Sequence, residues 1–205
     1  MLAMLVIAMA TACTMAIRRA RLAEAELKSL RSEFGYLDPA EDDTVAAARI
    51  AVDEPLVWRA RVRVPEGQTY RVAYSARWLQ ATTRPDWFAA QPIPSGESVV
   101  TVRVMKDPRD DRWRISVIVR QDGRAVRTAT VLPDELVAVF QGSHDIVSGG
   151  VGSQTSVCEK GQSMRIFNER YFVGGSAIFY GDQEREPESD VVGVFAELQP
   201  DVGSL

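Results

Sequence analysis

The sequence predicts a mainly β protein. An N-terminal transmembrane helix continues into a short helical stalk, and an antiparallel β-sandwich-like domain follows. Three observations carry this. Residues 1–17 hold no charge, and Arg18, Arg19 and Arg21 follow at once. Apolar positions then recur at heptad spacing as far as Leu37. From Leu56 onward, apolar and polar side chains alternate between Pro, Gly and Asp turns, as half-buried strands require. The implied division is an anchor over 1–17, a stalk over 18–36 and one β-domain over 37–205.

Seventeen helical residues reach roughly 25 Å, against a hydrocarbon core of about 30 Å. Arginine stems can snorkel to the interface and extend the span. The segment thus reads as a retained single-pass anchor with the lipid bilayer as its partner. Two other readings compete. A cleaved secretory signal opens on basic residues, and none precede this run. A lipoprotein signal is suggested by Ala10-Thr11-Ala12-Cys13, with Cys13 as the lipidated residue. Against it, Ala10 stands where leucine is usual, and the chain stays apolar to Ile17. Cytoplasmic flanks collect Arg, so Arg18, Arg19 and Arg21 place the β-domain on the cytoplasmic side. Basic residues upstream of Met1 would reverse that orientation.

The stalk seam runs Ala16, Ala20, Ala23, Leu27, Leu30, Phe34, Leu37, spaced alternately four and three. That is an a/d pattern, with Glu26 at g and Arg31 at the following e. A homodimer through Leu27, Leu30, Phe34 and Leu37 is one expectation. A lone helix packed on the β-domain is the other, because the seam is short for a coiled coil. Gly35 should stop the helix, and Asp38-Pro39 lies beyond it.

In residues 56–64, Trp58, Ala60, Val62 and Val64 face one way and Arg59, Arg61 and Arg63 the other. Pro65-Glu66-Gly67-Gln68 makes a turn. In 69–78, Tyr70, Val72, Tyr74, Ala76 and Trp78 share a face. Residues 99–131 read as a three-stranded meander, with turns at 107–111 and at Asp122-Gly123, a strong hairpin signal. Val100, Val102, Val104, Trp113, Ile115, Val117 and Val119 form its apolar face. Residues 133–138 suggest a helical turn, 142–152 a loop, 163–173 and 191–198 strands, and 181–190 an acidic loop. About seven strands of this kind make a sandwich or a partly open barrel.

Charge is unevenly placed. Residues 59–127 hold 13 Arg and 1 Lys against 7 acids, in a chain of net charge −4. A basic strand face attracts anions, phospholipid heads or nucleic acid. The pI of about 5.2 favours neutralisation by neighbouring acidic segments instead. No RNA-binding aromatic signature or helix-turn-helix pattern is present, so no nucleic-acid partner is expected.

Catalytic chemistry is thinly supplied. His144 is the single histidine, and its neighbours Ser143 and Asp145 cannot converge on it as triad members do. No G-x-S-x-G elbow exists. Cys158 is the one cysteine beyond Cys13, so no metal set of His and Cys and no disulfide inside the domain can be assembled. Asp110-Asp111 and Glu184, Glu186 and Glu188 lack the spacing of a calcium loop. Gly149-Gly150-Val151-Gly152 lacks the Lys-Ser/Thr of a phosphate loop. No cofactor, metal or enzyme activity is expected. Trp87 and Phe88, between Pro85 and Pro92, are either a surface contact for a ligand or a plug at the end of the sandwich.

The order of the apolar helix, then Leu30-Arg31-Ser32-Glu33-Phe34-Gly35, then Trp58-Arg59-Ala60-Arg61-Val62-Arg63-Val64-Pro65-Glu66-Gly67 resembles a group of uncharacterised single-pass membrane-anchored bacterial proteins. These share a short helical stalk and a C-terminal β-domain, and the likeness covers roughly residues 1–120 in layout. It implies no activity. The expected function is a membrane-anchored structural or protein-interaction module, its protein partner unspecified. The alternative is an extracytoplasmic domain binding a glycan-like ligand, with an enzyme third.

Overall fold

A computed structural model describes residues 2–39, 43–173 and 189–202, with the side chains of residues 2–12, 28 and 32 outside that set. The chain is mainly β. Helix α1 (Leu2–Phe34) leads into strands β1 (Thr44–Ile50), β2 (Val57–Val64), β3 (Tyr70–Trp78), β4 (Ala89–Ile93), β5 (Gly96–Lys106), β6 (Trp113–Gln121) and β7 (Arg124–Val131). Helix α2 (Asp134–Gln141) follows, then β8 (Asp145–Gly150), β9 (Ser156–Glu159), β10 (Met164–Phe172) and β11 (Val191–Pro200). Two antiparallel sheets form, ordered β7-β6-β5-β2-β1-β9 and β4-β3-β11-β10-β8. They pack face to face, as sandwiches do.

The alternation in the sequence sets the inner faces. Strand β2 buries every second residue, and Trp58, Ala60, Val62 and Val64 join the core with Val100, Val102, Ile115 and Val117. Tyr70, Val72, Tyr74 and Ala76 meet them from the opposite sheet. Trp78 departs from the expected face. It stacks edge-on against Phe195 at 5.6 Å, outside the main core cluster and beneath Arg165 and Arg170. The meander of β5, β6 and β7 is present in register. Asp122 and Gly123 both adopt positive φ, 48° and 75°, the conformation of a type I′ hairpin turn.

Other expectations need correcting. Residues 142–152 are not a loop throughout, because 145–150 form β8 and pair along β10. Strands β1, β4 and β9 bring the described strands to eleven. The acidic loop expected over 181–190 lies outside the described residues, save Ser189 and Asp190. Helix α1 contains the expected anchor, yet among the described residues no helix is long and apolar enough to cross a membrane. Its uncharged part from Leu2 to Ile17 rises about 24 Å, short of a 30 Å hydrocarbon core, and most of that run's side chains fall outside the described set.

Candidate functional site

The first site to emerge is the junction of α1 with the sandwich. The helix ends at Phe34, and Gly35 takes a φ of 61°. The Tyr36 amide then donates back to the Arg31 carbonyl at 3.0 Å, the six-to-one bond of a Schellman cap. Arg31 lies 4.9 Å over the Tyr36 ring, where such caps usually carry an apolar contact. A Cβ on Gly35 would strike the Ile50 side chain on β1. Beyond the cap, Arg61 Nε donates to the Phe34 carbonyl at 3.3 Å and Arg63 to the Asp38 carbonyl at 3.1 Å. The Asp38 amide donates to Thr155 Oγ1 at 2.8 Å. Leu37 is buried against Ala46 and Ala48, on the outer face of β1.

This placement divides the expected seam. Leu27, Leu30 and Phe34 are exposed on α1, at 49%, 49% and 60%. Leu37 is not a seam residue, since the helix has already ended and its side chain covers the sheet.

A cleft of about 760 Å³ opens at one end of the sandwich, between the loop that follows β1 and strands β8 and β10. Trp58, Phe140 and Tyr171 supply aromatic walls. At its floor Arg49, on the inner face of β1, meets Glu169 of the opposite sheet at 2.7 Å. Glu169 is 2% exposed and also accepts the Ser148 hydroxyl at 2.5 Å. Arg49 stands 5.6 Å over the Phe167 ring. Tyr171 packs edge-on against Phe140 at 5.2 Å. Burial, with the Glu169 carboxylate adding to it, pushes the Tyr171 phenol up to about 12. None of Arg49, Ser148, Glu169 or Tyr171 stood out in the sequence. The one available signal was an acid at a position two residues from both Phe167 and Tyr171, on the apolar side of its strand.

Trp87 and Phe88 do not line this cleft. Phe88 packs against the core, and its amide donates to the Tyr74 carbonyl at 2.9 Å. Trp87 lies 5.7 Å under Arg165, which is paired with Glu197 at 2.7 Å. His144 precedes β8, and its ring packs over Gly142. Cys158 leans on the core, where burial pushes its thiol up, and its Sγ lies 4.0 Å from the Gln162 carbonyl. Among the described residues no group of three or more His, Cys, Asp and Glu is placed to hold a metal ion.

The basic strand face is partly neutralised. Arg59 reaches Glu54 at 3.7 Å and Arg61 reaches Glu97 at 3.5 Å. Arg114 contacts Asp107 at 3.2 Å and Asp110 at 2.6 Å. Arg109 and its hydrogen bonds hold the Asp107 carboxyl well below the usual carboxylate range.

Comparison with known proteins finds no matching family model, no matching curated protein and no matching solved structure.

Proposed function

We propose that the chain is a membrane-tethered interaction module, in which α1 carries the anchor and the β-sandwich presents binding surfaces. The observation that supports this reading best is the capped and clamped junction. A helix serving only as a leash needs no fixed contact with its domain. Here Gly35, Leu37, Arg61, Arg63 and Thr155 all hold residues 34–38 against the sheet. Such a clamp carries the orientation of the helix into the domain. The uncharged run to Ile17 and the arginines after it supply the membrane side of the argument. The exposed Leu27, Leu30 and Phe34 offer a surface for a second copy of α1. The layout of the anchored bacterial group agrees with this assignment.

Alkaline carbonate extraction tests the anchor: full-length chain should stay in the pellet. Release into the supernatant would refute it. A reporter fused after Leu205 reads the side on which the domain sits, expected cytoplasmic from Arg18, Arg19 and Arg21.

The cleft favours a second reading, a ligand-binding domain. Its size suits a small molecule, and its aromatic walls suit the faces of a sugar ring. Trp58→Phe should then abolish a fluorescence change on titration with an oligosaccharide library. No response to any member would leave the module reading alone.

A further inference from the structure

We infer that the outer face of the six-stranded sheet holds an anion site for a phosphate group, built from Arg59, Arg103, Arg120 and Arg127 around the Thr101 hydroxyl. The strand register sets this arrangement. Arg59 on β2 pairs with Thr101 on β5, Thr101 with Ile118 on β6, and Ile118 with Arg127 on β7. Those four residues form one row across four strands. Arg103 lies two residues beyond Thr101 on β5, and Arg120 two residues beyond Ile118 on β6. The antiparallel strands put Arg103 and Arg120 on opposite sides of the row. Thr101 therefore sits among the stems of Arg59, Arg103 and Arg120, with Arg127 one strand further out beyond Ile118.

The burial pattern is unusual for an outer face. Ser116 is 0%, Thr101 3% and Ile118 6% exposed. Long arginine stems lying over a sheet cover residues in this way while their heads stay wet. A concavity of about 360 Å³ remains, lined by Glu54, Arg59, Thr101, Arg103, Ile118 and Arg120 among others. Thr101 lines it, and its Oγ1, buried beneath the arginine stems, has no hydrogen-bond partner among the described residues, nor has Ser116 Oγ, directly opposite Arg103. Buried hydroxyls are normally paired.

The charges are unmatched as well. Among the described residues Glu54 is the single acid on the rim, and it stands 3.7 Å from Arg59. Arg103, Arg120 and Arg127 have no carboxylate within ion-pair distance among the described residues. Burial, and then the like charges of Arg127 and Arg120, push the Arg103 guanidinium down. A bound anion removes that repulsion and accepts the orphaned hydroxyl. Phosphate fits best, because its several oxygens take forked guanidinium donors from more than one side. Among the described residues no aromatic side chain lines the concavity for bases to stack on, which argues against a nucleic-acid strand. The site stands whether or not α1 is anchored, so its failure and the failure of the anchor are separable.

The test is calorimetric titration of the full chain, held in a nonionic detergent at low ionic strength, with inorganic pyrophosphate. Saturable binding is expected, weakening as salt is added. The double variant R103Q/R120Q should lose about tenfold or more in affinity, while Arg124→Gln at the β6–β7 turn should leave it unchanged. Thr101→Val separates binding from folding. Removing an unpaired buried hydroxyl should leave the melting temperature equal or higher, yet weaken pyrophosphate binding. Repeating the titration beside phosphatidylglycerol and phosphatidylcholine vesicles identifies the source. Competition by the first alone assigns a lipid headgroup, and equal affinity in both assigns a free phosphate compound. Absence of saturable binding, or equal binding by R103Q/R120Q, overturns the site.

Discussion

At the scale of single residues, the positions that matter most are those where one side chain answers two demands. Gly35 is the clearest. It must take positive φ to cap α1, and it must leave room for Ile50. An L-residue pays roughly 1–2 kcal/mol for that conformation alone. Gly35→Ala should therefore lower stability by at least that much, and should open the Phe34–Asp38 segment to protease. Unchanged cleavage and an unchanged melting temperature would mean that the junction does not depend on the cap. The stop at Gly35 was legible in the sequence because the cap is local. The Ile50 contact was not, since it depends on where β1 lies. Tyr171 makes a different prediction. Its folded value of about 12 lies above the 10.0 of a free phenol, so the stability it lends is complete below pH 10. That contribution is lost as pH rises through about 12, because the unfolded chain releases the proton first. Tyr171→Phe should flatten the alkaline limb of the unfolding profile. An identical limb in both proteins would place the titration elsewhere.

At the scale of elements, the strands split by how many of their faces are covered. Strands β2, β3, β5 and β6 have one apolar and one mostly polar face, so their periodicity was readable, and β7, mixed on both faces, was legible through the Asp122-Gly123 hairpin. Strand β1 is covered on both sides, by the core within and by Leu37 without, and its Val45-Ala46-Ala47-Ala48 run shows no alternation. Strand β8 ends in Gly149 and Gly150, which look like loop residues. A Cβ on Gly150 would collide with the Ile166 carbonyl, so the strand needs glycine there. In the meander, Val117 is 0% exposed, and Val117→Ala should cost about 2 kcal/mol in chemical unfolding. Arg114 is no neutral control on the outer face, because it holds both Asp107 and Asp110. Arg124, exposed at the β6–β7 hairpin although on the core side of its strand, is one, and Arg124→Ala should stay within about 0.5 kcal/mol. Equal effects would mean that Val117 is not part of the packed core. For α1, Leu30→Cys should form an interchain disulfide in membranes. Monomer at Leu27→Cys and Leu30→Cys alike would leave the helix unpaired.

At the scale of the whole molecule, the candidate cleft was illegible because its residues converge only through topology. Arg49, Trp58, Ser148, Glu169 and Tyr171 come from four strands in two sheets. The Arg49–Glu169 pair is the polar tie between those sheets at the open end, and its two halves are not equivalent. Glu169 is 2% exposed, whereas the Arg49 side chain is 26% exposed and faces the cleft. Breaking a buried pair is costly because it strands a charge, typically by about 3–5 kcal/mol. Arg49→Met strands the carboxylate inside the sandwich with Ser148 as its one remaining partner among the described residues, and should fall in that range. Glu169→Leu leaves a guanidinium that can still turn to water, and should cost markedly less. The double variant Arg49→Met/Glu169→Leu replaces both charges by apolar groups and should recover most of the loss, since such exchanges are often neutral or stabilising. Chemical denaturation of the four detergent-held chains gives the coupling directly. If the two single effects simply add, the pair is not a tie between the sheets, and the closed end of the cleft must be held by the aromatic contact of Phe140 with Tyr171 instead.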